Sequence, residues 1–157
     1  MSYTIRPATV DDAIRLHVCL SEDDKEELRV CQVQPLEAIT RGVFDSASPV
    51  SIWDKHGKIA AIAGVVPVFV GEDGSYGAPW MLSTDAAKTE PVAFVKQARE
   101  WVENELEIYG LLQHKVYRHN ESHIKLLKLI GFTVEKPRHP LQPFLPFHQC
   151  VIPPPSA

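Results

Sequence analysis

Cysteine is scarce in this chain of 157 residues: Cys19, Cys31 and Cys150 form an odd, scattered set with no C-x-x-C spacing. That excludes a disulfide framework and points to reduced thiols in a cytoplasmic setting. None has a basic cluster beside it in sequence that would mark a nucleophile. Long apolar runs are missing too. No stretch reaches the roughly 18 residues of a membrane-crossing helix, and MSYTIRPATVDDAIRL has no apolar segment behind a basic start, so no secretory leader is expected. Positive charge is not in excess. Lys and Arg number 16 against 20 Asp and Glu, a net charge of -4, which argues against a broad nucleic-acid surface. Glycine is absent from Ala78 through Tyr109, so no glycine-rich phosphate loop can lie there.

What is present is ordinary for a soluble, intracellular globular protein: 45% hydrophobic and 23% charged residues, in a length that suits one domain with its own core. Neither a membrane nor a nucleic-acid partner is expected. Tyr3 to Arg6 reads as a strand stopped by Pro7. Thr9 with Asp12 opens a helix over 10–20, Ser21 with Asp24 opens a second, and Pro35 a third. Val50 to Asp54, the turn KHGK and the apolar Ile59 to Val70 predict a hairpin. GEDGSYG (71–77) reads as a loop and PWMLST (79–84) as a strand. Phe94, Val95, Ala98, Trp101, Val102, Leu106 and Tyr109 share one face of a long helix from Pro91 to Tyr109. Leu111 to Tyr117 is a strand. Asn120 then caps a helix that Gly131 ends in a left-handed conformation, with Phe132 folding back onto it. Phe132 to Lys136 begins a further strand.

The tail differs in composition. Seven of the 13 prolines fall in residues 137–157, which leaves room for at most one short edge strand around Phe144 to Ile152, then a trailing arm suited to docking on another protein. The spacing of chemistry-bearing residues is uninformative by itself. His119 and His123 are four apart, but HNESH is not H-E-x-x-H, and no metal site is expected. GEDGSYG precedes a strand, so it is a turn and not a phosphate cradle. Trp80 and Trp101 read as core, and SEDDKEE (21–27) as a solvated helix start.

Two stretches carry a resemblance. IRPAT followed by Asp11 and Asp12 resembles the opening strand and first helix of the GNAT N-acetyltransferase superfamily, and NESHIKLLKLIGF resembles its last helix. The element order agrees over residues 3–136. This implies a single GNAT-like (acyl-CoA N-acyltransferase) α/β domain, a mixed, mostly antiparallel sheet of six or seven strands flanked by helices, with 137–157 as a Pro-rich strand or arm. GVVP (64–67), PWMLST and REWV (99–102) together look closer to the GNAT-like morphogenesis proteins of short-tailed, T7-like bacteriophages. That narrower resemblance implies a virion-assembly or virion-structural role. The fold would be reused as a scaffold, without a cofactor, among other phage virion or assembly proteins in the virion or host cytoplasm.

The alternative implied by the wider resemblance is an acetyl-CoA-dependent N-acetyltransferase. In such enzymes the fourth strand and its neighbour splay apart for the pantetheine, and a Gln/Arg-x-x-Gly-x-Gly/Ala loop holds the pyrophosphate at the start of the long helix. Here that segment is STDAAKTEP (83–91), without glycine and with Asp85 and Glu90. Two or three lost charge-assisted hydrogen bonds, at about 1.5–3 kcal/mol each, would move a micromolar ligand to roughly millimolar. The family's glutamate base is absent from PWMLST, and its tyrosine acid is replaced by Leu127. If the chain is nonetheless an enzyme, the resemblance places Lys88, Thr89 and the N–H groups of Ala86 to Glu90 on the cofactor and Asn120 near the gap. Tyr117 or His119 is then the candidate base, with His114 nearby.

Overall fold

The centre of the sheet follows from which strand can be buried on both sides at once. The first seven residues of Ile59–Val70 (β3) are all buried, as a strand covered on both faces requires. In the computed structural model, which describes residues 2–72 and 74–151, β3 lies third in a seven-stranded sheet. The other strands are Tyr3–Pro7 (β1), Val50–Asp54 (β2), Gly74–Ser83 (β4), Leu111–Tyr117 (β5), Thr133–Val134 (β6) and Phe144–Cys150 (β7). Their order is β1-β2-β3-β4-β5-β7-β6. Every neighbouring pair is antiparallel except β4 and β5, which run parallel.

Helices cover both faces. Val10–Val18 (α1), Glu22–Val30 (α2) and Pro35–Asp45 (α3) bury Leu16, Leu28 and Ile39 against Trp53, Ile62 and Leu82. Pro91–Tyr109 (α4) and Glu121–Leu129 (α5) bury Ala98, Val102 and Leu127 against Ala63, Val65 and Leu112 on the opposite face. Alternate residues of β3 thus serve alternate faces, the period-2 rule of a strand. The caps read from sequence are in place. Thr9 and Asp12 form the reciprocal box, and Ser21 and Asn120 each accept the main-chain N–H three residues on. After α5, Phe132 N–H donates to Leu127 C=O and Gly131 N–H to Lys128 C=O, with Gly131 at φ 107. This is a Schellman motif, and it explains why the helix stops at Gly-Phe. No helix among the described residues is long and apolar enough to cross a membrane.

Three expectations are corrected. The segment 71–77 is not all loop: β4 begins at Gly74 and pairs with the end of β3. The strand expected from Phe132 shortens to Thr133–Val134. The strand in the tail is not an edge strand, because β7 lies between β5 and β6. Pro146 is tolerated there for a geometric reason. Its C=O accepts from Glu135 N–H, so its nitrogen also faces the β6 side, past the end of β6, and the ladder to β5 loses nothing. The trailing arm lies outside the described residues.

Candidate active site

The site starts from a strand pair that barely forms. β4 and β5 are in register only at Gly77 and Leu112. A Cβ on Gly77 would sit 2.4 Å from Val65 Cγ1 and 2.8 Å from Leu112 Cδ2, so only glycine permits that single approach. Beyond it the strands diverge and free the main-chain groups along both edges. Thr84 N–H donates to Ala60 C=O at 2.9 Å. Counting back in twos, the even-numbered residues of β4 bond to β3 and the odd-numbered ones face the gap. On β5 the same count from Arg118, whose N–H donates to Pro143 C=O, turns Lys115 and Tyr117 to the gap.

Buried main-chain groups must find partners, and several of these find them in α2 and its N-cap. Ser83 N–H donates to Asp24 Oδ2 at 2.8 Å, and Ser83 C=O accepts from Ser21 N–H at 2.9 Å. Tyr117 N–H donates to Glu27 Oε1 at 2.8 Å. Lys115 N–H donates to His114 Nδ1 at 2.8 Å. Met81 is different: its N–H and C=O face the gap with no strand beside them.

A cleft opens on each side of this gap. One of about 360 Å³ lies between α4 and α5, walled by Phe94, Val95 and Leu126 with Lys88 and Lys125 among its lining. The other, about 510 Å³, lies on the α2–α3 side against Glu27, Arg41, Trp80, Lys115 and Phe147. Met81 and His123 line both, and also the narrow space between them. Among the described residues His123 is the only titratable side chain common to the two clefts.

Solved structures share this architecture. The GNAT domain of S. lividans PAT matches with a TM-score of 0.66 at 17% identity, over 94% of this chain and 89% of that one. An aminoglycoside acetyltransferase in complex with coenzyme A matches at 0.65 and 17%, over 96% and 95%. The fold is the GNAT fold. A GCN5-related N-acetyltransferase from Kribbella flavida matches at 0.64 and 16%, over 96% and 98%. At these identities the likeness concerns the fold. No family model and no curated protein matches the chain by sequence. The narrower similarity to phage morphogenesis proteins finds no support among the structural matches.

Within the GNAT fold, several residues singled out from sequence sit elsewhere than expected. Tyr117 packs edge-on against His119 at 5.3 Å and against Phe144 at 5.8 Å, and neither Tyr117 nor the exposed His119 lines either cleft. His114 lines the α2–α3 cleft, with Nδ1 engaged by its neighbour's N–H. Lys88 does line the α4–α5 cleft, with Nζ 3.9 Å from Asp23 Oδ2, which also accepts from Ser122 Oγ at 2.7 Å. Thr89 does not line it. Its hydroxyl donates to Ala86 C=O, and Tyr3 Oη donates to the same carbonyl, so together they pin the 3-10 turn Asp85–Lys88.

The carboxylates expected to oppose an anion are displaced. Glu90 turns towards β1 and β2, taking a hydrogen bond from Ser2 Oγ with Lys55 Nζ at 3.8 Å. Asp85 does not line the cleft. Asn120 is 1% exposed and acts as a brace: its Nδ2 donates to Asp24 Oδ1 at 3.1 Å while its Oδ1 caps His123 N–H at 3.3 Å. Leu127 is core, as is Trp101. Trp80 is half-buried and borders the α2–α3 cleft, with Nε1–H donating to Ser46 Oγ at 2.7 Å. Among the described residues no group of three or more His, Cys, Asp or Glu is placed to hold a metal ion.

Asp24, Glu27, Met81 and His123 were the residues sequence reasoning passed over. A signal for the first two was available: Asp24, Glu27 and Leu28 fall on one face at helical spacing, so the carboxylates share the inward side with an apolar residue.

Proposed function

We propose that this chain is an acyl-CoA-dependent N-acyltransferase with an atypical pyrophosphate site. The observation that carries the reading is the β4–β5 gap, with one cleft on each face and Met81 and His123 lining both. Such a passage lets a donor and an acceptor approach a common point from opposite sides. When bound, acetyl-CoA supplies an acyl group already activated as a thioester.

The residues present fit its extended arm. Met81 offers an N–H and a C=O for amide groups, and Phe94, Val95 and Leu126 exclude water along the walls. For the anionic end there are Lys88, Lys125 and the first-turn N–H groups of α4, which no helix carbonyl can use. The fit is poorer there, because Asp23 already engages Lys88 and no glycine lets the chain close round a second phosphate. The acceptor amine enters from the side of Glu27 and Trp80. Calorimetric titration of CoA to several millimolar tests the reading. We expect weak saturable binding, with Kd of roughly 0.1–1 mM, and further weakening in Lys88→Glu. Absence of heat and of competition at these concentrations would remove the enzyme reading.

The pinned, glycine-free turn favours a second reading, a GNAT-fold scaffold that holds no cofactor; the virion-assembly role is what the narrower resemblance in sequence implies for such a scaffold. It requires no CoA binding and instead stable association with phage virion or assembly proteins in the virion or host cytoplasm. Co-sedimentation with such particles distinguishes it.

A further inference from the structure

Amide formation from a thioester has a proton to relocate. The amine nitrogen has one too many once it bonds to carbon, and the departing sulfur has one too few. A side chain that relays it must be reachable from both clefts. Among the described residues only Met81 and His123 line both, and a thioether neither takes nor gives a proton. His123 is held by its main chain. Its N–H is capped by Asn120, which is fixed in turn by the buried Asp24. Its half-buried ring lines both clefts and forms no hydrogen bond with a described residue, so neither ring nitrogen is claimed by one. Every other titratable group around the passage lines one cleft alone: Arg41, which pairs with Glu37, and Cys31 and Asp45 lie on the α2–α3 side. Asp24 and Glu27 from α2 accept main-chain N–H groups of the gap edges. His114 accepts from Lys115 N–H, Lys88 pairs with Asp23, and the ammonium groups of Lys115 and Lys125 are not bases when charged.

We propose that His123 is the proton-transferring catalytic residue of this site. The N–C bond forms, the C–S bond breaks, and the proton passes from the amine nitrogen to the imidazole and from the imidazolium to the leaving sulfur. Nothing else is consumed. Imidazole suits the task because it presents a donor and an acceptor near neutral pH. The inference rests on the acyltransferase reading.

Two measurements test it. In the wild-type protein, carbethoxylation of each histidine by diethyl pyrocarbonate is followed by peptide mass spectrometry with and without CoA. Saturating CoA should slow modification of His123 severalfold and leave the exposed His56 and His139 unchanged. In parallel, release of CoA thiol from acetyl-CoA is measured with a panel of primary amines. His123→Gln should melt with the wild type and bind CoA equally well. It should lower kcat by about 100-fold or more. Protection of His123 by CoA together with an unchanged kcat in His123→Gln overturns the proton role and leaves the acyltransferase reading standing. No CoA binding, or no transfer to any amine, overturns both.

Discussion

Exchanging the partners of the Asp24–Asn120 pair gives a direct measure of how firmly α2, β4 and α5 are tied at the gap. Asp24 is 4% exposed, and its carboxylate accepts from Ser83 N–H at 2.8 Å, Ser83 Oγ at 3.1 Å and Asn120 Nδ2 at 3.1 Å. Asp24→Asn keeps the shape but replaces one acceptor oxygen with a donor. Ser83 N–H and Asn120 Nδ2 cannot then both be served, and a buried donor left unpaired costs about 1–3 kcal/mol. Rotating Asn120 to compensate would forfeit the cap on His123. Asn120→Asp alone sets a second carboxylate against the first, with a destabilisation at least as large.

In the double variant the new amide donates to the new carboxylate. Its oxygen still serves Ser83, and the carboxylate still caps α5, which aspartate does as well as asparagine. We therefore expect each single variant to lose about 2 kcal/mol and the double variant to lose less than either, a coupling of at least about 2 kcal/mol. Urea denaturation at neutral pH with a common slope gives the four stabilities. Additive losses would refute the reasoning, since they would mean the two side chains do not share a hydrogen bond that matters.

Gly131→Ala should lower stability by about 1 kcal/mol or more, because Gly131 lies at φ 107 and a Cβ there meets Gln149 Nε2 at 3.0 Å. At roughly 2–4 °C per kcal/mol for this length, thermal denaturation resolves it, and an unchanged Tm would contradict the Schellman assignment. Burial pushes the Glu105 carboxyl above its ordinary range, so the native state resists its ionisation. Its contribution to stability is present below the unfolded pKa and is lost as pH rises through the raised folded value. Glu105→Gln should accordingly flatten the decline over that window and raise stability near neutral pH, as denaturation curves at successive pH values will show.

Local signals were legible because the chain states them locally. The boundaries of α4 and β5 follow from Pro91, an apolar face and Gly110, which adopts φ 75. Thr9, Ser21 and Asn120 announce helix starts because their oxygens fit N–H groups three residues away. The end of α2 was not legible. It repeats the α5 motif, with Val33 N–H donating to Leu28 C=O, but Gln32 takes the left-handed position at φ 58, and glutamine does not advertise that conformation. The place of β7 was hidden for another reason. Alternation shows which face a strand buries, but not which strands lie beside it, and prolines counted as a bar to pairing can sit where no N–H is needed.

The candidate site was the least legible part. Lys88 lines the α4–α5 cleft near the helix start to which the resemblance assigned it, whereas Tyr117 and His119 were chosen for their nearness in sequence to a gap whose lining depends on the angle between two strands. The acidic run of α2 read as solvated because charge usually is. Asp24 and Glu27 are turned inward by a demand that exists only after β4 and β5 have parted.

That demand gives α2 the standing of a surrogate strand. Where a sheet would normally continue across from β4 to β5, two carboxylates occupy the places of a neighbour's carbonyls, against Ser83 and Tyr117. Were α2 to lift away, the middle of the sheet would present two facing, unpaired edges, and such edges invite an extended segment from another chain. The hydrogen bonds that Asp24 and Glu27 make from this nine-residue helix keep that slot shut.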